Sequence, residues 1–264
     1  MTLTVILIAA TVRVAPADPP EGPRIGAPPP ALRLDSFYAK HLSVNGLPVV
    51  SSDRVSDEAL REAARLVGRM LHHRRDIGVA LVEAHVRVVV MAPTEQTTDV
   101  PEHRDLTPKE YWDARARGLG ATRSRPAVSC GEENLLGLED DRYRGECILI
   151  HEFAHTIHEM GLVSVEPGFD EHLEGLFDRA MEKGLWKDTY AATNSKEYWA
   201  EGVQSFFDSN RQADPPDGIH NSVDTREELA EYDPELAKLI SRIFRDDPWR
   251  WERPGAHGRK VTGG

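Results

Sequence analysis

The chain has two cysteines in 264 residues, Cys130 and Cys147. Their separation lacks the paired spacing of a cysteine-built zinc module, which sets that class aside. No apolar run approaches the roughly 20 residues needed to span a bilayer, so stable membrane insertion is not expected. Positive charge is short, with 32 Lys and Arg against 44 Asp and Glu and a formal net charge of -12. That balance argues against nucleic acid or an anionic membrane surface and favours neutral or basic partners. The length suits one large or two small domains with a substantial core.

At the N-terminus, Leu3 to Ala10 is apolar and is followed by Ala15-Pro16-Ala17, a small-x-small pattern. Residues 1–17 therefore read as a secretory leader cleaved before Asp18, implying a secreted, extracellular or periplasmic protein. The lack of Lys or Arg before the run, and Arg13 just after it, leave a true start farther upstream, or a strand, as the alternatives. In an exported protein Cys130 and Cys147 are expected to form a disulfide, closing a loop of roughly 17 residues worth about 3 kcal/mol; in the cytosol they are two buried thiols. Residues 18–31 are rich in Pro and Gly and read as an extended linker. Folding is expected over 32–254, with a disordered tail at 255–264.

The stretch Gly145–Gly161, GECILIHEFAHTIHEMG, organises the rest. His151, Glu152 and His155 form H-E-x-x-H, which on a helix places two imidazoles one turn apart with a carboxylate beside them, a zinc site with its own base. Ile150, Phe153, Ala154, Ile157 and Met160 recur at steps of three and four as a buried stripe, and Gly161 is placed as the C-cap. A metzincin pattern would need Gly at His158 and His at Gly161, so it is absent. Three ligands on one helix are too nearly collinear for a tetrahedral ion, which leaves His158 a hydrogen-bonding or rim role.

The missing ligand is sought in Tyr190–Asp208, YAATNSKEYWAEGVQSFFD. Asn194 is an N-cap, Trp199, Val203, Phe206 and Phe207 form a buried side, and Glu197, Glu201, Gln204 and Asp208 share another side. A carboxylate from a second helix completes a His-His-Glu set and leaves the fourth position open for water. Glu197 and Glu201 are the candidates; Asn194 and Glu197 also match a capping box, the competing use of that carboxylate.

His151-Glu152-Phe153-Ala154-His155, with Tyr190-Ala-Ala-Thr-Asn194-x-x-Glu197-x-x-Ala200-Glu201, resembles the catalytic domain of anthrax lethal factor and the related Pro-Pro endopeptidases. The resemblance covers two helices and the loop before the second, about a quarter of the chain. It implies a zincin-like metallopeptidase with one Zn2+ per chain on His151, His155 and Glu197. It further implies Glu152 as general base, Tyr190 as oxyanion donor and Glu201 as support for a ligand histidine. Nothing before about Cys147 matches, so substrate preference is not implied.

Elsewhere, Asn45-Gly46 marks a turn between short apolar runs, and Ser56 or Asp57 opens a helix through Leu71, ended by His72-His73-Arg74-Arg75. Val79 to Met91 is rich in Val and Ala, and Val86 to Val90 is the strongest strand in the sequence. A short helix is expected near Pro108 to Arg117. Pro126 to Cys130 reads as a strand, placed at a sheet edge where an extended substrate can add by main-chain hydrogen bonds. Helices are expected at 170–183 and within 225–244, with Trp249 and Trp251 packing back on the body. His220 falls in a loop near Pro215-Pro216, as a turn residue or at the site rim.

The expected fold is α+β, a small mixed sheet covered by helices, and the expected activity is zinc-dependent peptide hydrolysis. Two rivals stand beside it. A non-catalytic zinc-binding or adhesion module has no use for a base such as Glu152; a zinc hydrolase of non-peptide amides differs only in substrate.

Overall fold

The computed structural model describes residues 24–254. The leader, the first part of the linker and the tail lie outside them. The chain forms a five-stranded mixed sheet in the order β1-β2-β3-β5-β4. Lys40–Val44 (β1) and Leu47–Ser51 (β2) make a hairpin across Asn45-Gly46. Both turn residues have positive φ, 51° and 93°, the pair of left-handed conformations that a two-residue hairpin needs and that Asn and Gly supply at least cost.

Ser56 caps Asp57–Met70 (α1) by accepting from the Ala59 amide at 3.2 Å. The Val- and Ala-rich stretch begins inside a helix not anticipated from the sequence, Arg75–Glu83 (α2), and the expected strand follows at Arg87. Ile77 and Leu81 account for the helix, because one turn apart they both reach the core while Val79 is left exposed. Arg87–Met91 (β3) runs parallel to both β2 and Ala127–Gly131 (β5), covered on both faces, which is why its valines are consecutive. Val88 and Val90 face the main core; Val89 and Met91 face a smaller cluster with Tyr38 and Val100.

Pro126 to Cys130 is not an edge. β5 lies inside the sheet, and the edge on its side is the two-residue Gly118–Leu119 (β4), antiparallel to it and preceded by Lys109–Arg115 (α3). The start of β4 is pinned by buried Arg117, which donates twice to Glu133 at 2.6 and 2.9 Å and also to the carbonyls of Ala92 and Glu95. Glu133 sits on Glu132–Leu136 (α4).

The disulfide expectation is also corrected, since Cys130 and Cys147 are free buried thiols. Cys130 sits on β5 with its sulfur toward the Val89 carbonyl, and both side chains are packed in the core. Burial raises both thiol pKa values, that of Cys147 to about 12, so neither is a ready thiolate. Nothing about the compartment follows from them.

Cys147 precedes Ile148–Thr156 (α5), whose first amide is capped by Asn134 at 2.8 Å. Gly161 does not end this helix. The backbone widens into a π-helical turn over Ile157–Leu162 and continues through Val163–Val165 (α6). Gly161 is needed for packing instead, because a Cβ there would lie 2.7 Å from Ile77 Cγ2 on α2. Gly161→Val is expected to destabilise the fold by about 2 kcal/mol through overpacking, read as a lower urea midpoint; an unchanged midpoint would contradict that contact.

Phe169–Glu182 (α7), Ser195–Phe206 (α8), Arg226–Tyr232 (α9) and Pro234–Phe244 (α10) complete the helical layer. Trp251 is buried and Trp249 packs against the core, as expected. No helix among the described residues is long and apolar enough to cross a membrane.

Candidate metal centre and cleft

Helix α5 presents His151 and His155 one turn apart, and α8 presents Glu197 against them. Asn194 accepts from the amides of Lys196 and Glu197 at 2.9 and 3.0 Å, so the cap is made while the Glu197 carboxylate is turned to the imidazoles. Glu197 Oε2 lies 3.2 Å from His151 Nε2 and 3.1 Å from His155 Nε2, and the two nitrogens are 3.2 Å apart. Donors held at about 2.0–2.1 Å around a tetrahedral zinc are separated by roughly 3.3 Å. The triangle therefore has nearly the size and the donor chemistry that zinc requires. Two imidazole nitrogens converging on each other and on a carboxylate also need a shared cation or protons between them.

Electrostatics agree with this excess of negative charge. Burial pushes the His151 pKa down, but Glu197, Glu152 and Glu201 outweigh it and carry it up to about 10. Burial works against ionised Glu197, yet its bonds to His151 and His155 hold it well below the usual carboxylate range.

His151 Nδ1 is 2.7 Å from Gln204 Oε1, whereas Glu201 Oε1 is farther, at 3.5 Å. Gln204 is thus the nearer orienting acceptor. Glu201 is buried, raised in pKa mainly by that burial, and accepts from Asn210 at 3.0 Å. Trp199 Nε1 donates to the Ala154 carbonyl at 2.9 Å, tying α8 to α5 between its two histidines.

Tyr190 donates its hydroxyl to Glu197 Oε1 at 3.2 Å and accepts from Arg115 at 3.3 Å. Burial, then Glu197, raises its pKa, so it remains a protonated donor. Glu152 lines the same cleft of about 600 Å³, and its carboxylate has no hydrogen-bond or ion-pair partner among the described residues. Gly118 and Gly120 let the edge strand lie directly on α5. A Cβ at Gly118 would meet Ile148 Cγ2 at 2.5 Å and Glu152 Cγ at 3.1 Å, and one at Gly120 would meet His155 Cβ at 2.9 Å. Sequence reasoning missed this use of the G-x-G; the signal was two glycines flanking one apolar residue in a polar region.

His158 is not at the metal triangle. It is buried beside Phe169 and Trp199 and bonds Asp170 at 2.6 Å, the hydrogen-bonding role expected. His220 does reach the cleft, 3.3 Å from Glu146 Oε2, held there because the Tyr190 amide bonds the Ile219 carbonyl at 2.8 Å. A second potential ligand group among the described residues, His72, His73 and Asp247, has two exposed histidines and lies outside the cleft.

No family model and no curated protein matches the sequence. Among solved structures, the Pro-Pro endopeptidase PPEP-2 from Paenibacillus alvei aligns with a TM-score of 0.44 and 18% identity, over 69% of this chain and 91% of that one. At that level the likeness assigns no function, and the chemistry rests on the residues themselves.

Proposed function

We propose that the protein is a zincin-like, zinc-dependent endopeptidase. The observation that carries the reading is the His151–His155–Glu197 triangle with an unpartnered Glu152 beside it in an open cleft. Zinc on those three donors would supply Lewis acidity to water and to the scissile carbonyl. Glu152 takes the proton of the attacking water and delivers it to the leaving amine. Tyr190 turns its O–H from Glu197 to the developing oxyanion. Gln204, by accepting from Nδ1–H, fixes His151 with its Nε2 lone pair toward the other donors, and Glu201 adds negative charge behind that ring.

A peptide is favoured over a small amide because β4 offers a free backbone edge along the cleft, where an extended chain adds as a sixth strand. A non-catalytic zinc module needs neither Glu152 nor Tyr190. Export through residues 1–17 belongs to the same proposal.

The test is cleavage of a capped peptide library by zinc-loaded protein, abolished by chelation and restored by zinc. Tyr190→Phe is expected to lower kcat on the order of a hundredfold with little change in KM. A Tyr190→Phe variant within twofold of wild type would remove the oxyanion assignment.

A further inference from the structure

The cations of the cleft are not alike. Lys196 is paired with Glu159 at 3.1 Å and Arg211 with Asp217 at 2.9 Å. Arg115 and Arg142 line the same cleft and make no ion pair among the described residues. The fold joins the two segments that carry them. Arg142 donates to the Ala114 carbonyl at 2.6 Å, and its neighbour Tyr143 donates to the Arg115 carbonyl at 3.0 Å, so the loop before α5 is buttoned to the end of α3. Each guanidinium has five N–H donors. One is used by Arg115, on the neutral Tyr190 hydroxyl, and one by Arg142, on a carbonyl.

We infer that Arg115 and Arg142 form a carboxylate-binding subsite that makes the enzyme select peptides with an acidic group next to the scissile bond. The inference rests on the peptidase reading above. Its position follows from the Tyr190 hydroxyl, which lies 3.3 Å from Arg115 and 3.2 Å from the metal-directed Glu197. A carboxylate on Arg115 is therefore within about two residues of the bond that is cut, at roughly 3.3–3.6 Å of extended chain per residue. The planar fork of arginine matches a carboxylate bidentately, which lysine does not. Charges farther than about 8 Å are largely screened at physiological ionic strength, so what weighs against an anion here is the cleft's own carboxylates, Glu152, Glu159 and Glu197 among them, which the two guanidiniums must outweigh. The carboxylate is either an Asp or Glu side chain, which fits internal cleavage, or the free C-terminus of the peptide, in which case the protein removes a short C-terminal piece instead; both present the same group to the fork.

The test compares kcat/KM for matched peptides on the zinc-loaded protein. One arm exchanges Glu for Gln at each of three positions either side of the scissile bond in amide-capped peptides. The other exchanges a free C-terminal acid for its amide. An acid-over-neutral ratio on the order of tenfold or more is expected at one position, falling toward one in Arg115→Gln and at high salt. Arg142→Glu should reverse the preference toward Lys, a gain that misfolding cannot mimic. Preference in the first arm identifies a side-chain carboxylate, and in the second a terminal one. Efficient cleavage of neutral peptides with ratios near one at every position and in both arms overturns the subsite and leaves the peptidase reading standing. No cleavage of any peptide by zinc-loaded protein defeats both.

Discussion

Glu152→Gln is expected to lower kcat for peptide cleavage by roughly two to four orders of magnitude, while zinc content and thermal stability stay at wild-type levels. The substitution keeps the shape of the side chain and removes its ability to take a proton. Stability is spared because the carboxylate has no partner among the described residues and projects into the cleft. Zinc is spared because the donor group is His151, His155 and Glu197, without Glu152. Steady-state kinetics with metal analysis on the same preparation checks all three statements. A variant keeping more than a tenth of the activity would mean that the base is elsewhere.

Trp199→Ala is expected to destabilise the fold by about 3–5 kcal/mol, the usual cost of deleting a large aromatic from a core. Trp199 is fully buried, edge-on to Phe169 at 5.4 Å and stacked on Phe244 at 6.1 Å between ring centroids. The loss also strips the Ala154 carbonyl of its bond from Nε1. For a chain of this size the midpoint of thermal unfolding should fall by on the order of 10 °C. Because Glu197 lies half a turn from Trp199 on α8, zinc affinity should weaken as well; Trp199→Phe, which keeps a ring, should cost less on both counts. A fall of under 2 °C in Trp199→Ala would show that the α5–α8 contact is not where the core is held.

The site was more legible in the sequence than the sheet. His151, Glu152 and His155 are local, since one helical turn sets their spacing, whereas the acidic face of the second amphipathic helix offers both Glu197 and Glu201, and only the family resemblance chose between them. Gln204 was harder to choose. It shares its helix face with Glu201, and only the packing of α8 on α5 brings its amide oxygen to 2.7 Å from His151 Nδ1 while leaving Glu201 at 3.5 Å. Long-range features left little local trace. α2 is hidden in a valine-rich run because Ile77 and Leu81 satisfy a helix as well as a strand, and the sheet edge beside α5 is only two residues long. Gly161 looked like a helix end because glycine ends many helices, yet here it makes room for Ile77. The disulfide expectation rested on export and not on geometry; one cysteine is on a strand inside the sheet and both are packed in the core as free thiols.

The most direct test of the account is the zinc content of wild type, Glu152→Gln and Glu197→Ala after metal loading and exhaustive dialysis, with folding checked by circular dichroism. The account predicts about one zinc per chain in the first two and a loss of most of it in a folded Glu197→Ala, since structural and catalytic zinc sites depend on every protein ligand. Zinc retained in full by Glu197→Ala, or no zinc in folded wild type, would contradict the three-donor site on which the proposed chemistry depends.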